Sequence, residues 1–107
     1  MALKINPVSI TDSAIAEISN IIDKKKIPNN LSLRIGIKGG VGCSGVNYVV
    51  GFDKKTEHDQ QFKFEKFDLL IDKRHFMFLM NVQLDFVEEM DQRGFKFINL
   101  ASRDNQN

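Results

Sequence analysis

The chain carries a single cysteine, Cys43, inside the run Gly39-Gly40-Val41-Gly42-Cys43-Ser44-Gly45. Four of the chain's seven glycines stand in that run. Glycine allows positive φ and close approach of the backbone. Successive amide N–H groups can therefore converge on an anion, including a thiolate or the sulfide of a cluster. Gly42, Ser44 and Gly45 would then form the cradle and Cys43 the ligand or nucleophile. The competing reading is a hairpin loop holding a small, inert apolar cysteine.

Two phosphate-binding motifs are tested by the residues on the C-terminal side of the run. Gly40-Val41-Gly42-Cys43-Ser44-Gly45 matches G-x-G-x-x-G literally. A dinucleotide site needs a helix to begin there, and Val46-Asn47-Tyr48-Val49-Val50 reads as a strand. A P-loop fails because no Lys followed by Ser or Thr comes after the last glycine. One cysteine also cannot make an intramolecular disulfide, a four-thiolate zinc site or a one-chain iron-sulfur site. His58 lies in a charged loop with no ligand-type residue three or four positions away, and His75 follows Lys73-Arg74 with only Asp72 at that spacing. Both read as solvated or structural side chains. Asp85, Glu88, Glu89 and Asp91 read as the wet side of a strand and its turn. With no G-x-S-x-G context, the chain does not read as an independent enzyme.

The elements that must position Cys43 follow from periodicity. Thr11 is a good N-cap, Asp12 sits in the first turn, and Ala14, Ile15, Ile18, Ile21 and Ile22 follow the helical period. Ile10 stands where a hydrophobic staple onto Ile15 would be. Lys24-Lys25-Lys26 suits the negative end of the helix, which Pro28 and Asn29-Asn30 stop. From Leu31 the pattern alternates: Leu33, Ile35 and Ile37 share one face, Ser32, Arg34 and Lys38 the other. The glycine run then leads into a second strand from Val46 to Phe52. A polar loop is expected from Lys54 to Gln60, with Phe62 and Phe64 alternating after it and a short strand from Phe67 to Ile71. Asp72 reads as the N-cap of a short helix to about Leu79. Leu84 to Glu88 and Phe95 to Phe97 form the last strands, and the period-two phenylalanines read as core rather than a stacking platform. Helices placed early and inside the chain, not between every strand, favour an antiparallel or mixed sheet in an α+β fold.

Composition sets the outer limits. At 107 residues, 42% hydrophobic and 27% charged, the chain is one domain's worth of globular protein. Fifteen basic against fourteen acidic residues leave +1, which provides no field for general nucleic-acid binding. The first residues contain no apolar signal region, and no apolar run is long enough for a membrane span. A cytoplasmic, reducing location is expected, in which Cys43 is a thiol or thiolate.

The run Ile37 to Tyr48 containing G-C-S-G, then Phe52-Asp53, Leu70-Ile71-Asp72, Leu84-Asp85-Phe86-Val87-Glu88 and Gly94-Phe95-Lys96-Phe97-Ile98-Asn99, resembles the A-type iron-sulfur carrier family, also called HesB-like or IscA-like. Thr11-Asp12-Ser13-Ala14 matches the family's opening helix. The likeness runs from about Ile5 to Asn99 in order and spacing. It implies a HesB-like α+β domain over 1–99, with a small β-sandwich or barrel-like core, an N-terminal helix and a short internal helix. Residues 100–107 form a polar tail. It also implies a role as a cluster assembly scaffold or carrier, with Cys43 as metal ligand and Gly42, Ser44 and Gly45 around the bound group. The implied partners are a second copy in a homodimer, iron-sulfur assembly proteins and apo-protein acceptors.

The family generally carries two further cysteines in a C-G-C motif near the C-terminus, whereas this sequence reads Leu100-Ala101-Ser102-Arg103-Asp104-Asn105-Gln106-Asn107. A [2Fe-2S] cluster takes four ligands. Two Cys43 loops meeting across a dimer axis would supply two, leaving the others to small thiols, water, histidine or carboxylate. Mononuclear iron with mixed ligands is a second option, a HesB fold that has lost cluster transfer and serves as an interaction or regulatory module a third, and a Cys43–Cys43 disulfide between chains a fourth. Every metal reading requires Cys43 to be at least partly exposed.

Overall fold

The computed structural model describes residues 6–38 and 47–100. By their internal contacts the chain divides into two compact units, one built on 28–79 and one on 5–27 with 80–107.

The second unit holds β1 (Val8–Ile10), α1 (Asp12–Lys25), β6 (Val82–Glu88) and β7 (Arg93–Asn99), with its sheet in the order β1-β6-β7. Thr11 caps α1, accepting a hydrogen bond on Oγ1 from the Ala14 N–H at 3.2 Å. At the other end Lys26 adopts φ 52 and ψ 53, and the Ile27 N–H returns to the Ile22 carbonyl at 3.1 Å. Ala14 and Ile18, one helical turn apart, are buried with Val8, Val82 and Leu84. α1 therefore covers an apolar seam with one face, as its 3.6-residue period demands.

β1 is an addition to the sequence reading. Ile10 is paired with Leu84 as the last residue of a three-residue strand running parallel to β6. Three residues are too few to show a period, and the partner lies far along the chain.

The first unit holds β2 (Ser32–Lys38), β3 (Asn47–Asp53), β4 (Asp59–Lys63), β5 (Asp68–Asp72), a 3-10 turn (Lys73–His75) and α2 (Phe76–Leu79). Its sheet runs β3-β2-β5-β4, mixed because β2 and β5 are parallel and the other pairs antiparallel. Leu69, Leu70 and Ile71 in β5 are all fully buried. This unbroken apolar run is what a strand covered on both faces requires.

The expected loop from Lys54 to Gln60 ends earlier than its polarity suggests. Asp59 and Gln60 already belong to β4, and Asp59 is buried. Phe64 lies just past that strand, in a turn where its N–H donates to the Phe67 carbonyl, and its ring stacks on Phe67 at 5.1 Å. Asp72 caps the 3-10 turn through the Arg74 N–H at 2.9 Å.

Candidate functional site

β2 and β3 form a hairpin that frames residues 39–46. Their register runs without interruption from Ser32 opposite Asp53 to Lys38 opposite Asn47. The two ends of the connecting segment are thus held at facing Cα positions, about 5 Å apart for an antiparallel pair. Cys43, Gly42, Ser44 and Gly45, and with them the expected exposure of Cys43, lie outside the described residues.

The frame is fastened on both faces of β2. Leu33 and Ile35 point one way and are buried. On the opposite face Arg34 donates from Nη1 and Nη2 to the two carboxylate oxygens of Asp59, at 2.6 and 2.5 Å. Its Nε donates to Asp53 at 2.9 Å and its Nη2 to the Lys54 carbonyl at 3.1 Å. One guanidinium therefore joins β2 to the end of β3 and to β4. Asp59 also accepts from the N–H and hydroxyl of Thr56. The hydrogen bonds from Arg34, ahead of those from Thr56, hold its carboxyl below the usual carboxylate range despite burial. Sequence reasoning placed Arg34 on a wet face and missed this, because its partner is 25 positions away.

Closer to the loop, Gly36 is buried, and a Cβ there would meet Nδ1 of His75 at 3.2 Å. The imidazole packs against the backbone of β2, and its Nδ1 is buried without a hydrogen-bond partner among the described residues. His75 is thus packed against the hairpin at Gly36. His58, on the exposed side, lies 3.6 Å from Glu57. Lys38, at the mouth of the loop, is exposed and places a cation there.

Among the described residues no three His, Cys, Asp or Glu side chains gather as a metal-binding group. Asp85 has a positional role: its Oδ1 accepts from the Thr11 hydroxyl at 2.7 Å and from the Phe86 N–H at 2.8 Å, which ties the start of α1 to β6. No helix among the described residues is long and apolar enough to cross a membrane.

A strand pair presenting a glycine-rich, cysteine-bearing connection, in a two-sheet α+β fold that opens with a capped helix, defines a recognised class. Residues 6–105 match the family described as iron-sulphur cluster biosynthesis, and the chain belongs to that family. An iron-binding protein IscA from an Enterobacter species is 35% identical over 98 residues, covering 91% of this chain and 89% of the relative. The crystal structure of Escherichia coli SufA, described as involved in biosynthesis of iron-sulfur clusters, superposes with a TM-score of 0.73 at 25% identity, covering 94% of this chain and 86% of that one. A crystal structure of IscA with the [2Fe-2S] cluster shares the fold, with a TM-score of 0.70 at 19% identity over 86% of this chain and 84% of that one. The A-type carrier resemblance and the α+β HesB-like fold are both borne out.

Proposed function

We propose that the chain is an iron-sulfur cluster carrier or assembly scaffold whose cargo, a [2Fe-2S] cluster or iron, is held through the Cys43 thiolate. Gly42, Ser44 and Gly45 would supply backbone around the bound group. The observation that carries the reading is the family match over residues 6–105, which spans the G-C-S-G run. The unbroken β2–β3 register up to Lys38 and Asn47 supports it, because a loop with fixed ends can offer a ligand repeatedly from one position.

Within these 107 residues Cys43 is the one cysteine, so they offer one thiolate per copy. A four-ligand cluster is then shared between two copies and completed from outside, by small thiols or by an acceptor's own ligands. Such incomplete ligation suits a cargo that must leave. Residues 1–99 serve as the family domain and 100–107 as its tail. The protein works in a reducing compartment, taken as the cytoplasm, with assembly proteins and apo-acceptors as partners. It performs no catalytic turnover, and neither nucleic acid nor membrane takes part. Loading the chain anaerobically and adding an apo-acceptor that takes a [2Fe-2S] cluster tests this. The acceptor's visible spectrum should grow as the carrier's fades. A loaded chain that keeps its cluster while the acceptor stays colourless would contradict the carrier role.

A further inference from the structure

The parallel ladder between β2 and β5 is short. It runs from Leu33–Leu69 to Arg34–Leu70 and stops, although β2 continues to Lys38 and β5 to Asp72. Beyond Arg34, β2 keeps β3 as its one ladder partner among the described residues, from Ile35–Val50 out to Lys38–Asn47. The outer half of the hairpin, which leads into residues 39–46, therefore leaves β5 behind. Just past the parting point the imidazole of His75 rests on Gly36, where a Cβ would meet Nδ1 at 3.2 Å and Cε1 at 3.7 Å. Gly36 is buried and its φ lies outside the left-handed region, so the space the ring takes, not backbone conformation, is what calls for glycine there. By alternation the ring stands over the face of β2 that also carries Arg34 and Lys38.

The turn that presents this ring is fixed at three points. Asp72 caps it through the Arg74 N–H at 2.9 Å and accepts from the Arg74 guanidinium at 2.9 and 2.6 Å. The Lys73 N–H donates to the His58 carbonyl at 2.8 Å, and Leu79 at the end of α2 is fully buried. The ring itself holds β2 by contact alone, since its buried Nδ1 has no hydrogen-bond partner among the described residues. A close-packed contact of this kind transmits displacement from one side to the other. We propose that His75 is a positioning residue for the Cys43 loop. Its imidazole is the stop against which the outer hairpin rests. It sets how far that hairpin bends toward the turn, and so the direction in which Lys38 and Asn47 carry the chain into the loop. Its meaning for cargo rests on the Cys43 reading, but the stop acts on the strands whether or not cargo is bound.

The test uses the full chain, reduced, free of iron and sulfide and at one fixed pH, with two readings: amide hydrogen exchange and the rate at which iodoacetamide alkylates Cys43. His75→Ala should speed exchange at residues 36–38 and 47–49 about tenfold and shift the alkylation rate several-fold. Exchange in β4 and at residues 69–71 should stay as in the parent. His75→Phe, which keeps a flat ring in the same place, should restore both readings. Gly36→Ala adds a Cβ against the ring, so it should shift alkylation in the parent chain and not in His75→Ala, where the space is open. Unchanged rates in His75→Ala overturn the proposal. So does faster exchange throughout β2, β4 and β5, which would make His75 an ordinary packing residue, and so does His75→Phe behaving like His75→Ala. A parent chain that takes up no cluster would end the carrier reading without altering these rates.

Discussion

The two units use the same vocabulary of arginine, carboxylate and cap at very different depths. In the unit carrying the β2–β3 hairpin, Arg34 closes on Asp59, whose side chain is 0% exposed. In the other, Arg93 bonds Glu88 and Glu17 and lies 5.1 Å over the Phe86 ring, but its side chain and that of Glu88 are 53% and 67% exposed. Water screens the Arg93–Glu88 pair and hardly reaches the Asp59 carboxylate. The difference teaches that the Arg34–Asp59 pair ties β2, the strand that leads toward Cys43, to β4 with its carboxylate out of water, whereas the Arg34–Asp53 link to β3 is exposed like the Arg93–Glu88 pair.

The largest effect should come from Arg34→Ala. It leaves the Asp59 carboxylate buried against Thr56 alone, at a cost of about 3 kcal/mol in a urea melt. A loss under about 1 kcal/mol would remove the contrast between the units.

Acid should then act on the same cluster. Arg34 lowers the ionisation range of Asp59, and Arg74 lowers that of Asp72. A carboxyl depressed in the folded state adds stability above its unfolded pKa, near 4, and loses it as pH falls through the lower folded value. Stability should therefore drop as pH falls below about 4, and drop less in Arg34→Ala. Parallel acid curves for the two proteins would deny Asp59 that role.

Thr11→Ala should cost about 1 to 2 kcal/mol, because it removes both the α1 cap and a partner of Asp85. Thr11→Ser should recover most of the loss, since a serine hydroxyl can make both bonds. Arg93→Ala should cost under about 1 kcal/mol and become neutral in high salt. If it matched Arg34→Ala, exposure would not be what distinguishes the two arginines. Smallest of all, Lys26→Gly should stabilise α1 by a few tenths of a kcal/mol, since φ 52 favours glycine.

Local signals were legible and distant pairings were not. The Thr11 and Asp72 caps, the lysine-rich helix end and the alternation of β2 all act within a few residues, and each stands where the sequence puts it. Asp59 looked like part of a solvated loop because polarity alone cannot show a guanidinium 25 positions away. Thr11 and Asp85 are 74 positions apart, and β1 exists only through β6. For the candidate site, residue type and order pointed to Cys43 and to a family that the comparisons support. The fastening of its hairpin by Arg34, and the packing of His75 on Gly36, required the fold.

The claim that Cys43 carries the cargo is tested most directly by anaerobic reconstitution with iron and sulfide, scoring visible charge-transfer bands and iron bound per chain. The wild-type chain should colour, with about one [2Fe-2S] cluster for two chains if two Cys43 thiolates share it, and Cys43→Ser should stay colourless. A Cys43→Ser chain that binds the same iron with the same bands would contradict the assignment.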